Sequence, residues 1–200
     1  MLEFHSVTFA YGKKEIFRDF SMSVADGEIL AVMGPSGCGK TTLLSLAAGL
    51  KKPKEGSITS TFEKIAYVFQ EPRLFPWLTV KENLEAVLEA PQEKAAEIKS
   101  VLDTVGLQDS AHLYPHELSG GMKSRVSLAR AMLFDGDLYL LDEPFSALDE
   151  ELRDTLSELL KSFFKKKNAS AILVTHQQDD ARKLADRILY LDAIPSPKAD

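Results

Sequence analysis

The sequence predicts an α/β fold: a mostly parallel sheet, with an antiparallel β part near the N-terminus and an α-helical insertion in the middle. Three observations predict it. Short apolar runs of strand length recur at Ile29 to Met33, Ile65 to Phe69, Leu138 to Leu141, Ala171 to Val174 and Arg187 to Leu191. Stretches with helical spacing separate them. The first of these runs leads straight into a glycine-rich loop, and Thr41 to Leu50 after it reads as helix.

Taken in order, Leu2, Phe4, Phe9 and Tyr11, then Phe20, Met22 and Val24, alternate as half-buried strands, and Asp26-Gly27 marks a turn. Ile65 to Phe69 reads as the next short strand. Thr79-Val80-Lys81-Glu82 is a capping box, because hydroxyl and carboxylate can each satisfy the other's backbone donor. Ala95, Ile98, Leu102 and Val105 share one helical face, and Gly106 is placed to end that helix. Residues 72–117 are therefore expected as a helical subdomain of a single domain, with 1–71 and 118–200 forming the β part and core. Val126, Ala129, Met132 and Leu133 continue at helical spacing. Asp149 can cap a helix whose face carries Leu152, Leu156, Leu159, Leu160 and Phe163. Lys165 to Lys167 reads as a solvated helix end, and the stretch from Ile194 as a frayed tail.

The chain has 200 residues, 44% hydrophobic and 27% charged, in the range of one globular domain. Its net charge of −6 weighs against broad nucleic-acid or anionic-membrane binding. One cysteine, Cys38, excludes a disulfide within the chain and suits a reducing compartment. The N-terminus lacks the pattern of a signal peptide, and no stretch reaches the roughly 18 apolar residues a spanning helix needs.

Two constellations carry chemistry. Gly34-Pro35-Ser36-Gly37-Cys38-Gly39-Lys40-Thr41 fits G-x-x-x-x-G-K-[ST] in full, and Thr42 follows. Its glycines let successive N–H groups face phosphate oxygens. Lys40 is placed to reach the β- and γ-phosphates of a nucleotide and the Thr41 hydroxyl to ligate Mg²⁺. Leu138 to Leu141 then delivers Asp142 and Glu143 at the end of an apolar strand. Such a strand holds one carboxylate rigidly for Mg²⁺, and the next residue, pointing elsewhere, suits a base for attacking water. Cys38, inside the loop and close to a helix N-terminus, is expected to be a reactive thiol whose alkylation blocks nucleotide binding.

Leu118-Ser119-Gly120-Gly121-Met122 raises a separate question. Serine and two glycines before a helical run again collect anions, yet no lysine accompanies them. With that stretch, the order of motifs from Tyr11 to His176 resembles the nucleotide-binding subunits of ABC transporters. The resemblance implies a RecA-like P-loop NTPase core and a Mg²⁺-dependent ATPase. It makes Tyr11 the aromatic that stacks on adenine, Gln70 a glutamine touching metal and water, and Asp149 part of the D-loop Ser146 to Asp149. His176 becomes the switch histidine that contacts the γ-phosphate. Alone, Tyr11 would serve equally as a strand aromatic, Gln70 as a surface amide and Asp149 as a helix cap. The family also implies that Ser119, Gly120 and Gly121 act on ATP held by the P-loop of a second chain, in a head-to-tail dimer. Lys123-Ser124-Arg125 departs from the family's usual glutamine before the arginine, and Gln177 from the acidic residue after the histidine.

The stretches from Gln70 to Leu84 and from Tyr114 to Met122 resemble ATPases of nitrate, sulfonate and taurine importers. That likeness implies a transmembrane permease partner, an extracytoplasmic solute-binding protein and a position on the inner face of the membrane. Phe75, Pro76, Trp77 and Leu78 form an apolar cluster expected to dock the permease, with covering the inserted helices as the lesser alternative. The alternative is a soluble ABC-type ATPase acting on nucleic acid or ribosomes, which the acidic balance disfavours.

Overall fold

The computed structural model describes residues 1–91 and 93–192, so the expected frayed tail lies outside the described residues. Its strands are β1 (Leu2–Tyr11), β2 (Lys14–Val24), β3 (Ile29–Met33), β4 (Glu55–Ser60), β5 (Ile65–Val68), β6 (Leu138–Asp142), β7 (Ser170–Val174) and β8 (Arg187–Tyr190). Its helices are α1 (Lys40–Ala47), α2 (Val80–Glu85), α3 (Ala95–Thr104), α4 (Gly120–Leu133), α5 (Glu150–Lys167) and α6 (Gln178–Leu184). Two 3₁₀ turns, Gln108–Ser110 and Pro115–Glu117, lie between α3 and α4.

Five strands form a parallel sheet in the order β5-β6-β7-β3-β8. Every residue of β3, β6 and β7 is buried. Continuous burial explains why these strands read as unbroken apolar runs rather than alternating ones. Parallel pairing also sends the C-terminal ends of β3, β5, β6 and β7 to one edge. The glycine loop, Gln70, the Asp142-Glu143 pair and His176 therefore leave the sheet side by side, at the edge where open α/β sheets hold ligands.

The second sheet is antiparallel, in the order β2-β1-β4. Phe4, Val7, Phe9 and Phe17 pack from it onto Leu43, Leu44 and Leu46 of α1 and onto Leu30 and Val32 of β3. That packing brings the β1–β2 hairpin tip, with Tyr11 and Lys14 paired across it, over the start of α1. Strand β4 has no counterpart among the strands that the sequence pattern predicts. Its sequence, Glu-Gly-Ser-Ile-Thr-Ser, is almost fully exposed and leaves no apolar alternation to detect.

The inserted helices lie against α4. Val80, Leu84, Ile98 and Leu102 share one apolar cluster with Val126, Ala129 and Leu133. The capping box forms as expected: Glu82 N donates to Thr79 Oγ1 at 3.3 Å, and Thr79 N to Glu82 Oε2 at 2.7 Å. Arg125 of α4 donates to the carbonyls of Val105 and Gly106, both at 2.9 Å, at the end of α3. Its cation thus meets the negative end of that helix. Lys165 to Lys167 proves not to be merely solvated. Lys165 pairs with Asp186 at 2.9 Å and Lys167 with Asp135 at 2.6 Å, while Asn168 ends α5 in the left-handed region at φ 51°.

Candidate functional site

A cleft of about 520 Å³ opens at the shared edge of the parallel sheet. Tyr11, Ser36, Gly37, Gly39, Lys40, Thr41, Thr42, Gln70, Asp142, Glu143 and His176 all line it. Residues scattered over most of the sequence thus converge on one site of the size that small molecules occupy.

The loop earns its glycines locally. Gly39 caps α1 at φ 108°, and a Cβ there would sit 2.6 Å from Ile16 Cγ2 and 3.1 Å from Phe17 Cζ. Glycine alone gives both that backbone and that close approach. Lys40 is the first residue of α1 and is buried, its ammonium donating to the carbonyls of Gly34 at 2.7 Å and Pro35 at 2.9 Å. Tyr11 is half exposed, with its ring edge-on to Phe9 and its hydroxyl 3.4 Å from Thr42 Oγ1. Lys51 sits over that ring, 4.9 Å from its centroid. Cys38 contradicts the expectation of a reactive thiol. It is 3% exposed and packs in the apolar cluster beneath the loop, so its side chain turns away from the cleft. We expect Cys38→Ser to lower stability by about 2 kcal/mol, seen as a lower urea midpoint, because a hydroxyl would be buried in that cluster.

Asp142 is buried at the end of β6, and burial pushes its carboxyl above the ordinary carboxylate range. The Thr41 hydroxyl and the Lys40 ammonium oppose that rise, and the Glu143 charge adds to it. Glu143 leaves the strand in the left-handed region at φ 46°, unusual for a side chain with a Cβ. Its N–H still donates to Val174 O at 2.9 Å, which continues the ladder to β7 and holds the strained residue in place. Both carboxylates line the cleft. Gln70 Nε2 lies 3.4 Å from Glu143 Oε2, and His176 Nδ1 lies 3.3 Å from the same oxygen. Gln177 Nε2 meets His176 Nε2 at 3.1 Å. A histidine protonated on Nδ1 satisfies both contacts, so Gln177, a departure from the family's acidic residue at this position, orients the ring of His176.

Ser119, Gly120, Gly121 and Asp149 do not line the cleft. Ser119 caps α4 by accepting from Met122 N at 3.2 Å, and Asp149 caps α5 by accepting from Leu152 N at 2.9 Å. Gly121 lets α4 approach the loop before α5, since a Cβ there would lie 3.0 Å from Ala147 O. Phe75, Trp77 and Leu78 stand apart from the cleft as well. Trp77 is 70% exposed, and its ring centroid is 5.8 Å from that of Phe75.

Sequence reasoning missed several residues here. Lys14, Ile16 and Val174 also line the cleft. Lys14 could have been suspected from its place directly across the hairpin from Tyr11. Asn83 gave no signal, yet it is fully buried and organises the Phe75–Thr79 loop. Its Oδ1 accepts from Phe75 N at 2.8 Å, and its Nδ2 donates to the carbonyls of Phe75, Leu78 and Thr79 at 3.0–3.2 Å. Asn83→Ala strands those buried groups, and we expect a loss of about 3 kcal/mol in urea unfolding.

Known proteins share this fold and much of this sequence. A profile described as ABC transporter matches residues 17–146. The aliphatic sulfonates import ATP-binding protein SsuB of Bacillus licheniformis is 42% identical over 191 residues, covering 92% of this chain and 75% of that protein. Among solved structures, the dimeric structure of MJ0796, a bacterial ABC transporter cassette, superposes with a TM-score of 0.88 at 28% identity, covering 98% of this chain and 97% of that one. A dimeric post-hydrolysis state of the same cassette, bound to ADP and Pi, gives 0.84 at 29% identity, with 96% of each chain covered. A P-loop fold, a cleft uniting its phosphate loop with a paired Asp-Glu strand end, and relatives matched over nearly the whole length establish that this chain belongs to the ABC transporter family, as one of its ATP-binding cassettes.

Proposed function

We propose that the chain is the ATP-hydrolysing subunit of an importer for aliphatic sulfonates or similar small solutes, working as a head-to-tail pair beneath a separate permease. The placement of Glu143 carries this reading. Its carboxylate is held by Gln70 and His176 at the mouth of the phosphate loop, where a base for an attacking water is needed. The sulfonate class comes from the likeness to the Bacillus protein.

ATP would lie with its phosphates against Gly34 to Thr42 and its adenine on Tyr11. Lys40, whose ammonium already sits at the loop, would carry the phosphate charge. Mg²⁺ fits the donors present. Thr41, Asp142 and Gln70 offer oxygens beside the loop, and no cluster of three or more His, Cys, Asp or Glu side chains suited to a metal occurs among the described residues. A site with few protein ligands suits Mg²⁺, which keeps water and phosphate in its shell. When bound, the ion would neutralise phosphate charge and hold Asp142 ionised despite its burial. Glu143 would take the proton of the attacking water, with His176 and Gln70 fixing its orientation.

No helix among the described residues is long and apolar enough to cross a membrane, so membrane work calls for a partner. Residues 72–117 serve as the subdomain that meets the permease. Their exposed Phe75 and Trp77 stand on a loop pinned by Asn83, and Arg130 of α4 donates to Arg73 O at 2.8 Å beside it. The dimer would sit on the inner face of the membrane, with a solute-binding protein on the other side.

Co-expression with the membrane protein it accompanies, followed by reconstitution in vesicles, tests this function. We expect MgATP hydrolysis by the assembled complex to rise when an alkanesulfonate and its binding protein are supplied. Trp77→Glu should lower permease capture at least about ten-fold and leave ATP affinity unchanged, as loss of a central aromatic anchor does. Capture of RNA or DNA in place of a membrane protein would overturn the transport role.

A further inference from the structure

Charge is unevenly placed around the cleft. The chain as a whole carries −6, and its cleft holds the carboxylates of Asp142 and Glu143. Within the cleft these two face the ammonium of Lys40, which is buried and held by two loop carbonyls. A nucleoside triphosphate is a polyanion, so the summed field of this protein opposes its approach.

The opposite sign is gathered at one end of the cleft mouth. Lys13 and Lys14 stand at the tip of the β1–β2 hairpin, just past Tyr11, and Lys14 lines the cleft. Lys51, beyond the end of α1, holds its ammonium 4.9 Å from the centroid of the Tyr11 ring. Lys54 donates from Nζ to Gly12 O at 3.4 Å and from its backbone N–H to Thr8 O at 2.8 Å, which fixes its segment against the same hairpin. Lys13, Lys14 and Lys54 are exposed, and Lys51 is half-buried. None of the four takes part in an ion pair among the described residues. Glu15, the next residue of the hairpin, pairs with Arg18 at 2.7 Å, and Glu55 is exposed beside Lys54.

We propose that Lys13, Lys14, Lys51 and Lys54 form an electrostatic funnel that draws the polyanionic nucleotide to the cleft and sets the rate at which it arrives rather than the rate at which it leaves. The inference rests on the proposed function for the identity of the ligand.

Two physical points favour it over a set of merely solvated lysines. The first is range. Charges are screened over about 10 Å at 0.1 M salt, so lysines bordering the cleft act across its mouth while acidic groups elsewhere on the surface are damped. A local patch can therefore reverse the sign that the net charge gives. The second is position. These lysines cluster around Tyr11, whereas the phosphates would rest on the loop from Gly34 to Thr42. Cations at the rim of a low-dielectric cleft act on an incoming anion more than on one already seated on its floor.

The test is stopped-flow fluorescence with Mg²⁺ and mant-ATP on the full chain. It varies Lys13 and Lys54, because Lys14 lines the cleft and Lys51 touches Tyr11. In about 20 mM salt, Lys13→Glu with Lys54→Glu should lower kon about ten-fold, and Lys13→Gln with Lys54→Gln about three-fold, with koff within about two-fold of wild type. Lys13→Arg with Lys54→Arg keeps the charge and should keep wild-type kon. In about 500 mM salt all the variants should converge on wild type. Wild-type kon in the Glu variant would overturn the proposal. So would a loss carried by koff, or one that persists in high salt, since either means a distorted hairpin rather than a lost field. If the wild-type chain binds no mant-ATP, the proposed function fails together with this inference. If it binds with a kon that salt does not change, the inference fails alone.

Discussion

Glu143→Gln is expected to cut ATP turnover about 10³-fold while leaving ATP affinity near wild type, the effect of removing a general base. That is a loss of about 4 kcal/mol in transition-state stabilisation. The substitution is close to isosteric, and the backbone that aims the side chain does not depend on its charge. The φ of 46° at this residue is held by its own N–H bonding to Val174 O and by Ser146 N bonding to its carbonyl at 3.2 Å. An amide can still accept from Gln70 and His176, so the cleft keeps its shape. What it cannot do is take a proton from water. ATP that binds and is not consumed should hold two cassettes together, so size-exclusion chromatography with ATP should show the variant as a dimer where wild type passes back to monomer. Wild-type turnover would mean that the proton goes elsewhere and that Glu143 is only the acidic end of a strand.

The parts of this site that were legible in the sequence are those whose chemistry is local. A phosphate loop needs its glycines, lysine and threonine next to one another, because backbone N–H groups must face a single point. The Asp142-Glu143 pair was legible for a related reason: the buried strand before it is a continuous apolar run. The position of His176 and Gln70 at the same edge follows from parallel pairing, which the alternation of strands and helices implied. What the sequence hid was distributed. Strand β4 carries no alternating pattern, since most of its side chains face solvent. Asn83 sits in an ordinary helical stretch, and only the fold shows the Phe75 loop wrapped around its amide. Cys38 was misjudged because proximity to a helix N-terminus says nothing about which way a side chain turns. Here the thiol belongs to the core below the loop.

Ser119→Arg is expected to leave ATP binding by the single chain intact and to abolish hydrolysis. Within one chain, Ser119 only caps α4, and losing that cap costs about 1 kcal/mol, too little to unfold a domain of this size. The residue does not line the cleft that holds Lys40 and Glu143, so nothing in its own chain's site changes. In a head-to-tail dimer the same helix N-terminus would face the phosphate held by the other chain, where an arginine in place of serine blocks closure by bulk. Mixing decides whether the site is shared. Lys40→Ala removes the phosphate-loop cation and should also be inactive alone. When the two variants are combined, a heterodimer has one site made from the intact loop of the first and the intact Ser119 of the second. Random pairing of equal amounts makes half the dimers mixed, each with one of two sites complete, so about a quarter of wild-type sites should return. If each chain completed its own site, no mixture of the two could recover any activity. A signal from the mixture that neither variant gives alone therefore requires that Leu118-Ser119-Gly120-Gly121-Met122 act across the dimer, and it explains why that phosphate-collecting stretch needs no lysine of its own.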